Sequence, residues 1–354
     1  KDAQLKNPGI KLINLGVGEP DRIANDKVID VLCKESYKNE NRFYADNGIL
    51  EFQEAACRFM KNVYDIDNLT CDNIMHGIGS KSILAMIPIG FINPGDVCLM
   101  TVPGYPIMGT YSKFLGGEVY NFNLLCEKIN FFPDLESIPQ DILTRAKLLY
   151  INYPNNPTGQ TATKEYYEYL ISFCKKNKIF IISDMAYGTL TYNNYKPLSI
   201  LSIPGAMDVA MEIHSLSKSF NMTGFRMAFV VGSTKSIKLY STIKGHTDSG
   251  QFIPIQKAAA FALDNYKELI EENIKRYSRR FNLLVDVLKN IGFKVNKPDA
   301  GFYLYVPIPK GAGDIIFHNS EEAFAYILEH AMISTVPWDD CGSYLRFSVN
   351  FMKL

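Results

Sequence analysis

The hydrophobic residues between about positions 73 and 231 form short runs that are separated by helix-length segments. The runs are rich in Val, Ile, Leu, Phe and Tyr, and each has the length of one strand. This alternation predicts a mostly parallel sheet with helices on both faces. Ligands of such sheets bind where the strands end and the loops begin. The clearest runs are residues 96–101, 148–152, 179–184, 209–214 and 227–231.

The spacing changes after residue 268, where apolar residues recur every three or four positions. Such spacing predicts one apolar stripe on a long helix. Strand-like runs at 302–306 and 344–349 then flank a helical segment at 321–330. We interpret this part as a smaller α+β domain, and one continuous large domain is the alternative. The stripe consists of Ile274, Tyr277, Phe281, Leu284 and Leu288.

The composition favours a soluble protein that acts on small molecules. The 354 residues exceed one average domain, and the 37 basic residues balance the 37 acidic ones. This balance provides no general electrostatic reason to bind nucleic acid or an anionic membrane, so we expect neither partner. The most apolar stretch, at 82–92, is broken by Pro88 and Gly90 and is shorter than the roughly 20 residues of a membrane span.

The seven cysteines are odd in number and scattered, and they form neither a CxxC pair nor a Cys/His metal spacing. We therefore expect reduced thiols, no metal and a cytoplasmic location. The chain starts at Lys1 without a charged and then apolar leader, so we expect no signal peptide and a missing N-terminal piece. The cysteines are Cys33, Cys57, Cys71, Cys98, Cys126, Cys174 and Cys341.

The first candidate for chemistry is the segment 215–226 (SLSKSFNMTGFR), which follows a predicted buried strand. Lys218 lies between hydroxyl residues, and Gly224 and Arg226 follow it. An amine nucleophile and a cationic cradle for phosphate can coexist in such a segment. By itself the pattern is weak, because most lysines are solvated and a lone SxSK is more often a surface loop.

The second candidate is Asp184 with Tyr187, directly after the apolar run that begins at residue 179. An aspartate at a strand end is more often a helix N-cap. Here both side chains can instead face one ligand. A carboxylate can keep a pyridine nitrogen protonated, and a phenol can donate a hydrogen bond to a ring oxygen.

Two turns complete the set of candidates. Prolines and a glycine predict a tight turn at 152–159 (NYPNNPTG) whatever its function, and Asn156 is the residue that such a turn does not require. The segment 77–81 (GIGSK) precedes a predicted helix from residue 82 and can present backbone N–H groups to a phosphate. Glycine turns are common, so the second signal is weak alone.

Together these four elements resemble the class I/II aminotransferases, which are pyridoxal-phosphate (PLP) enzymes of fold type I. The resemblance extends over nearly the whole chain, from 14–20 (NLGVGEP) through 103–106 (PGYP) to 344–347 (YLRF). It implies an α/β fold with a mostly parallel seven-stranded sheet in a large domain, plus a smaller α+β domain. The implied division is an N-terminal part of the small domain at 1–40, the large PLP-binding domain at 41–265, and the C-terminal small domain at 266–354.

The resemblance also implies which residues contact the ring of the cofactor and its reactive carbon. Lys218 would hold PLP as a Schiff base and act as general acid and base, while Asp184 would pair with the pyridinium nitrogen. Tyr187 and Asn156 would bond the phenolic oxygen. Tyr105 would stack on the ring.

The same resemblance implies which residues contact the phosphate and the substrate. Arg346 would hold the α-carboxylate of the substrate with a planar pair of N–H donors. Gly18 would lie against the substrate, which Tyr105 and Asn156 would also contact. The residues expected around the phosphate are Ser80, Lys81, Ser215, Ser217 and Arg226.

One position departs from the family pattern. In many relatives a tyrosine from the neighbouring subunit reaches the phosphate, five residues before the glycine that is Gly48 here. That position is Phe43, which cannot bond a phosphate, and Tyr44 follows it. We expect Tyr44 to take this role in a homodimer with shared active sites.

Within the family, four segments look most like bacterial LL-diaminopimelate aminotransferases. Those enzymes pass an amino group from LL-diaminopimelate to 2-oxoglutarate in lysine biosynthesis, by a Schiff-base ping-pong mechanism. Candidates for the distal end of that substrate are Asp46, Asn47, Asp248 and Ser249. The segments are 91–96, 151–159, 214–224 and 248–252.

Other activities stay open at this point. Relatives with similar cores act on aspartate, alanine or aromatic amino acids, since a few pocket positions set selectivity. The same fold also serves PLP-dependent lyases. A regulatory or binding protein is less compatible with the sequence, because it would not need Lys218.

Overall fold

The computed structural model describes residues 4–5, 7–45, 47–124 and 131–350 of the chain. Its centre is a seven-stranded sheet that carries helices on both faces. In chain order the strands are β1 (Ile13–Asn14), β2 (Ile74–Gly77), β3 (Val97–Val102), β4 (Glu118–Asn123), β5 (Ala146–Asn152), β6 (Phe180–Asp184), β7 (Ala210–Ser215), β8 (Ala228–Gly232), β9 (Tyr303–Pro307), β10 (Gly311–Ala312), β11 (Ile315–Ile316), β12 (Ile333–Ser334), β13 (Val336–Trp338) and β14 (Tyr344–Ser348).

The α-helices alternate with these strands in the first two thirds of the described chain, and the longest helix, α10, follows with 25 residues. In chain order they are α1 (Asp26–Ser36), α2 (Leu50–Tyr64), α3 (Ser80–Met86), α4 (Ile107–Phe114), α5 (Gln140–Arg145), α6 (Lys164–Asn177), α7 (Leu216–Ser219), α8 (Thr234–Gly245), α9 (Ile253–Asp264), α10 (Tyr266–Asn290) and α11 (Ser320–Ala331).

The central sheet has the strand order β2-β8-β7-β6-β5-β3-β4. Strands β3 to β7 are parallel to one another, whereas β8 is antiparallel to both of its neighbours, β2 and β7. The predicted mostly parallel sheet is therefore confirmed. Each of the five predicted apolar runs lies on one of its strands.

Alternate residues of the central strands enter two separate cores. On β5, Leu149 and Ile151 pack with α2 and α6, while Leu148 and Tyr150 pack with α3 on the opposite face. This division follows from the two-residue period of a strand. Because helices cover both faces, strands β3, β5 and β8 are mostly apolar instead of alternating between apolar and polar residues.

A third core lies in the smaller α+β part. Its sheet has the order β13-β14-β9 and is antiparallel, and α10 packs its apolar stripe against it. The predicted stripe is confirmed, since Tyr277, Phe281 and Leu288 are buried in this core. Strand β1 joins β12, which brings the chain before residue 20 to the same part of the molecule. The domain boundaries near 40 and 265 stay a prediction.

Within the described residues, no helix has the length and apolarity needed to cross a membrane. The expectation of reduced thiols is confirmed for Cys33, Cys57, Cys71, Cys98 and Cys174. It is wrong for Cys341, which is disulfide-bonded. Sequence spacing could not show this, because pairing depends on which loops the fold brings together.

Candidate active site

The ends of the central strands bring the predicted motifs to one edge of the sheet. Asn152 and Asp184 are register partners at the ends of β5 and β6. Ser215 ends the next strand, β7, and pairs with Ala228 at the start of the antiparallel strand β8. Gly77, at the end of β2, pairs with the same Ala228. Segments distant in sequence therefore meet at this edge.

A cavity of about 720 Å³ opens at this edge, between the central sheet and the smaller part. Residues of both parts line it, and the predicted phosphate, ring and substrate residues share it. Among the residues predicted for the cofactor and for the α-carboxylate of the substrate, Tyr44 does not line it, and the side chain of Tyr44 is 89% exposed. The predicted residues in the lining are Gly18, Ser80, Lys81, Tyr105, Asn156, Asp184, Tyr187, Ser215, Ser217, Lys218, Arg226 and Arg346.

Asp184 is the buried carboxylate at the floor of the cavity. Its Oδ2 accepts a hydrogen bond from the Tyr150 hydroxyl at 3.0 Å, and its Oδ1 accepts one from the backbone N–H of Ala186 at 3.2 Å. Burial raises the pKa of this carboxyl to about 6, although both hydrogen bonds act in the opposite direction. Burial therefore destabilises the charged form of Asp184, and a cation beside the carboxylate would offset this destabilisation.

Lys218 reaches the cavity from the short helix α7, which begins directly after β7. The Ser215 hydroxyl caps this helix by accepting a hydrogen bond from the backbone N–H of Ser217. The Nζ of Lys218 donates to the Gly18 carbonyl oxygen at 2.6 Å. Burial lowers the pKa of the amine, and the positive charges of Arg226 and Arg346 lower it further, against the raising effects of Glu19 and Asp184. This environment favours the neutral amine, which is the nucleophilic form.

Asn152 joins the carboxylate end of the site to the 152–159 turn. Its Nδ2 donates to the Asp184 carbonyl oxygen at 2.7 Å, and its Oδ1 accepts from the backbone N–H of Asn156 at 2.8 Å. The turn therefore has a fixed position relative to β6. Asn156 consequently points its own amide toward the cavity from an ordered backbone.

Arg346 enters the cavity from β14 of the smaller part. Its Nη1 donates to the Asn156 Oδ1 and its Nη2 donates to the Gly16 carbonyl oxygen, both at 2.9 Å. The guanidinium also lies 4.3 Å from the Tyr303 ring centroid and 5.7 Å from that of Trp338. These contacts fix the plane of the guanidinium before any ligand binds, which suits bidentate recognition of a carboxylate.

The opposite end of the cavity contains Arg226 beside the start of α3. Gly79 has a positive φ of 79°, and a Cβ on it would come within 2.3 Å of Arg226 Nη2. A side chain at this position would therefore displace the guanidinium. The hydroxyl of Ser80 and the ammonium of Lys81 line the same end.

Comparison with known proteins decides the family. The family model for aminotransferase class I and II matches residues 10–352. The chain belongs to this family. An LL-diaminopimelate aminotransferase of Methanocaldococcus jannaschii is 50% identical to this aminotransferase over 99% of this chain and 84% of the relative. Another from Methanococcus maripaludis is 45% identical, with 99% of this chain and 84% of the relative covered.

Solved structures agree with this assignment. BacF from Bacillus subtilis has a TM-score of 0.90 and 32% identity to the aminotransferase, covering 99% of this chain and 89% of BacF. Aspartate aminotransferase from Thermotoga maritima has a TM-score of 0.86 and 28% identity, covering 99% and 90%. The expected fold type I architecture is therefore confirmed.

Sequence reasoning missed four residues of the aminotransferase site. Tyr150 lies within a buried strand, and Tyr303 and Trp338 lie on strands whose partners could not be predicted. Glu19 belongs to the 14–20 motif, which indicated no role for it, yet it lines the cavity. A tyrosine in an otherwise aliphatic buried run is the one signal that could have indicated Tyr150, because a buried hydroxyl needs a partner.

The residues predicted for the distal end of the substrate have other contacts or are not placed. Asp46 lies outside the described residues. Asp248 forms an ion pair with Lys244, whose side chain is fully buried. Asn47 Oδ1 accepts a hydrogen bond from the Ser241 hydroxyl. None of the described members of this set lines the cavity of its own chain.

Proposed function

We propose that PLP binds in this cavity and that the enzyme uses it to move an amino group from LL-diaminopimelate to 2-oxoglutarate. The proposal rests chiefly on one arrangement: the amine of Lys218, the carboxylate of Asp184 and the guanidinium of Arg346 face the same space. The relatives named LL-diaminopimelate aminotransferase support the choice of amino donor.

The cavity has partners suited to each part of PLP. Asp184 would face the protonated ring nitrogen, which would supply the cation that its buried carboxylate lacks. Tyr187 and Asn156 would bond the phenolic oxygen, and Tyr105 would stack on the ring. When bound, PLP supplies an electron-accepting ring that stabilises negative charge on the α-carbon of the substrate.

The phosphate of PLP would lie at the end of the cavity that contains Arg226. Guanidinium groups bind phosphate through several charge-assisted hydrogen bonds. The side chains expected to complete the phosphate site are Ser80, Lys81, Ser215 and Ser217.

The residues of the chain would then bind the substrate and move a proton. Arg346 would hold the α-carboxylate, with its orientation already set by Asn156 and Gly16. Lys218 would take the proton from the α-carbon, because burial lowers the pKa of its amine and so favours the neutral form, which can accept a proton.

Borohydride reduction tests the cofactor and its lysine together. The purified enzyme should absorb near the visible edge, and reduction should fix PLP to a peptide that contains Lys218. Lys81 is the internal control, because it lines the same cavity. Label on Lys81 or on any other lysine would contradict the assignment.

Glu19 supplies an acceptor that a diamino substrate needs. LL-diaminopimelate carries an ammonium and a carboxylate at its distal end, and burying either ion without a partner costs far more than burying an unpaired neutral polar group. The exposed carboxylate of Glu19 lines the cavity, and it forms no hydrogen bond or ion pair within the described part of the chain. We propose that it receives the distal ammonium. An aspartate-specific site would instead need a second cation there.

A panel of amino donors tests the substrate. We expect kcat/KM with 2-oxoglutarate to be highest for LL-diaminopimelate, compared with aspartate, alanine and tyrosine. Glu19→Gln should lower this value for LL-diaminopimelate by roughly tenfold or more and leave that for alanine nearly unchanged. A clear preference for aspartate or tyrosine would refute the named substrate. An equal loss for every donor would show that Glu19 acts on Lys218 instead.

We also propose a homodimer with shared active sites in the cytoplasm. Phe43 and Tyr44 are 77% and 89% exposed, so their side chains are available to a second copy of the chain. Mixing Lys218→Ala chains with Tyr44→Phe chains should create hybrid dimers with one complete site. Hybrids that form without recovering activity would argue against sharing through Tyr44.

A further inference from the structure

We propose that Gln251 is a positioning residue that determines how tightly the cavity holds a phosphate, because it fixes the main chain of Arg226. The inference deepens the proposed function and rests on it, since it takes Arg226 as the phosphate-binding arginine. Gln251 itself lies outside the cavity lining.

Arg226 has a backbone conformation that needs support from its surroundings. Its φ of 53° lies in the left-handed region, which few residues other than glycine adopt. Such conformations persist where neighbouring structure enforces them, often at ligand sites. The direction in which the guanidinium leaves the main chain therefore depends on whatever holds residue 226.

The side chain of Gln251 provides this support. Its Nε2 donates to the carbonyl oxygens of Phe225 and Arg226, at 3.0 and 2.9 Å. Both donors of one amide are thus used on consecutive peptide groups. Because Gln251 is only 9% exposed, water is poorly placed to replace these bonds.

Gln251 is in turn fixed by residues that are remote from the cavity. The Nε2 of the fully buried Gln256 donates to the Gln251 carbonyl oxygen at 2.7 Å. The Gln256 Oε1 accepts from the backbone N–H of Ile49 at 3.0 Å. Helix α9 therefore anchors Gln251 in the absence of a ligand, and the anchor can preorganise Arg226 before phosphate binds.

The guanidinium of Arg226 has little freedom once its main chain is set. Its Nη1 donates to the Thr223 carbonyl oxygen at 2.9 Å, and its Nη2 packs against Gly79, the residue before Ser80. A shift of residues 225–226 would carry the guanidinium away from this end of the cavity. The expected consequence is weaker phosphate binding with an otherwise intact fold.

Gln53 provides a matched control. Its Nε2 also donates to two main-chain carbonyl oxygens, those of Cys71 and Ile74, at 3.4 and 3.1 Å. Neither of these residues lines the cavity. Substituting Gln53 therefore removes the same kind of bonds without altering the support of Arg226.

The experiment compares binding of PLP and of pyridoxal, which lacks the phosphate, to the full-length apoenzyme by absorbance titration. Gln251→Met should raise the dissociation constant of PLP about tenfold, the size expected when two hydrogen bonds are lost. The constant for pyridoxal should stay the same, as should both constants in Gln53→Met. In an Arg226→Ala background, Gln251→Met should have no further effect.

Several results would overturn the inference. They are unchanged PLP binding in Gln251→Met, equal weakening for PLP and pyridoxal, or additive weakening with Arg226→Ala. Wild-type PLP binding by Arg226→Ala would separately refute the phosphate role of Arg226 and the inference with it. If Gln251→Met does not fold, the same measurements are made on Gln251→Asn. Its side chain is one methylene shorter, and the same results would overturn the inference.

Discussion

Two buried carboxylates on neighbouring strands have opposite environments. Glu212 on β7 accepts hydrogen bonds from the Ser183 and Ser199 hydroxyls and the backbone N–H of Ile200, and it pairs with His214 Nε2 at 2.9 Å. Asp184 on β6 has fewer donors, the Tyr150 hydroxyl and the Ala186 N–H. Both side chains are almost inaccessible to solvent.

The number of donors around each carboxylate distinguishes Glu212, which stabilises the fold, from Asp184, which is available to a ligand. Glu212 lies inside its strand, and its partners tie the segment at 199–200 to the sheet. Asp184 lies at the end of its strand, where the cavity begins, and burial raises its pKa to about 6. Burial alone therefore does not indicate function, whereas burial with incomplete compensation at a cavity does.

The largest expected effect is on stability, in Glu212→Ala. The change leaves the hydroxyl, N–H and imidazole donors around Glu212 without an acceptor, so the free energy of unfolding should fall by about 3–5 kcal/mol. Urea denaturation of the apoenzyme at fixed protein concentration measures it. Glu212→Gln, which keeps one oxygen, should lose less. An equal loss in Asp184→Ala would break the comparison.

The next effect is on activity, in Asp184→Asn. This nearly isosteric change removes the charge that would face the ring nitrogen, and turnover should fall by about 100- to 1000-fold, as when an electrostatic stabiliser is removed. Asp184→Ala should retain some cofactor and lose activity on the same scale. Single-turnover rates with the amino donor report the loss. Near-normal rates in either variant would refute the role of Asp184.

The third prediction concerns the pH dependence of apoenzyme stability. The pKa of Asp184 is about 6 in the folded chain, compared with an ordinary value of 3.8, so between these values the folded state binds more protons than the unfolded state. Stability should therefore fall as pH rises from about 4 to above 6, by about 3 kcal/mol relative to Asp184→Asn. Denaturation of both proteins across this range provides the test, and parallel curves would contradict the prediction.

The smallest effect is expected for Tyr150→Phe. Loss of the hydroxyl removes a hydrogen bond that stabilises the charged form of Asp184, so the pKa of Asp184 should rise further, by about one unit. The fall in stability should therefore extend to a higher pH than in the wild-type protein. Tyr240→Phe is the control, because the buried Tyr240 hydroxyl has no hydrogen-bond partner among the described residues. Equal responses of the two variants would count against the role of Tyr150.

The local sequence was sufficient for five of the seven strands of the central sheet and for most of the candidate site. Runs of apolar residues indicated the strands, and polar motifs directly after them indicated Asp184, Asn156 and Lys218. These inferences succeeded because parallel strands end at one edge, so residues just after them must lie close together. Their catalytic and binding roles stay predictions until the variants are measured.

The sequence was insufficient where a role depends on residues distant along the chain. Asp248 was a candidate for a substrate contact, but it pairs with the buried Lys244. Gln251 had no local pattern that connected it to Arg226. Cys341 likewise had no spacing that indicated a disulfide.

The sequence by itself determined most strands of the central sheet, the long helix α10 and the family, because hydrophobic periodicity and short motifs are properties of consecutive residues. Only the tertiary structure decided that β8 lies between β2 and β7, which places Arg226 against Gly79. It also decided that the carboxylate of Glu212 has more hydrogen-bond donors around it than the carboxylate of Asp184. Strand order and side-chain packing set these contacts, and both depend on the free energy of the whole fold rather than on any local segment.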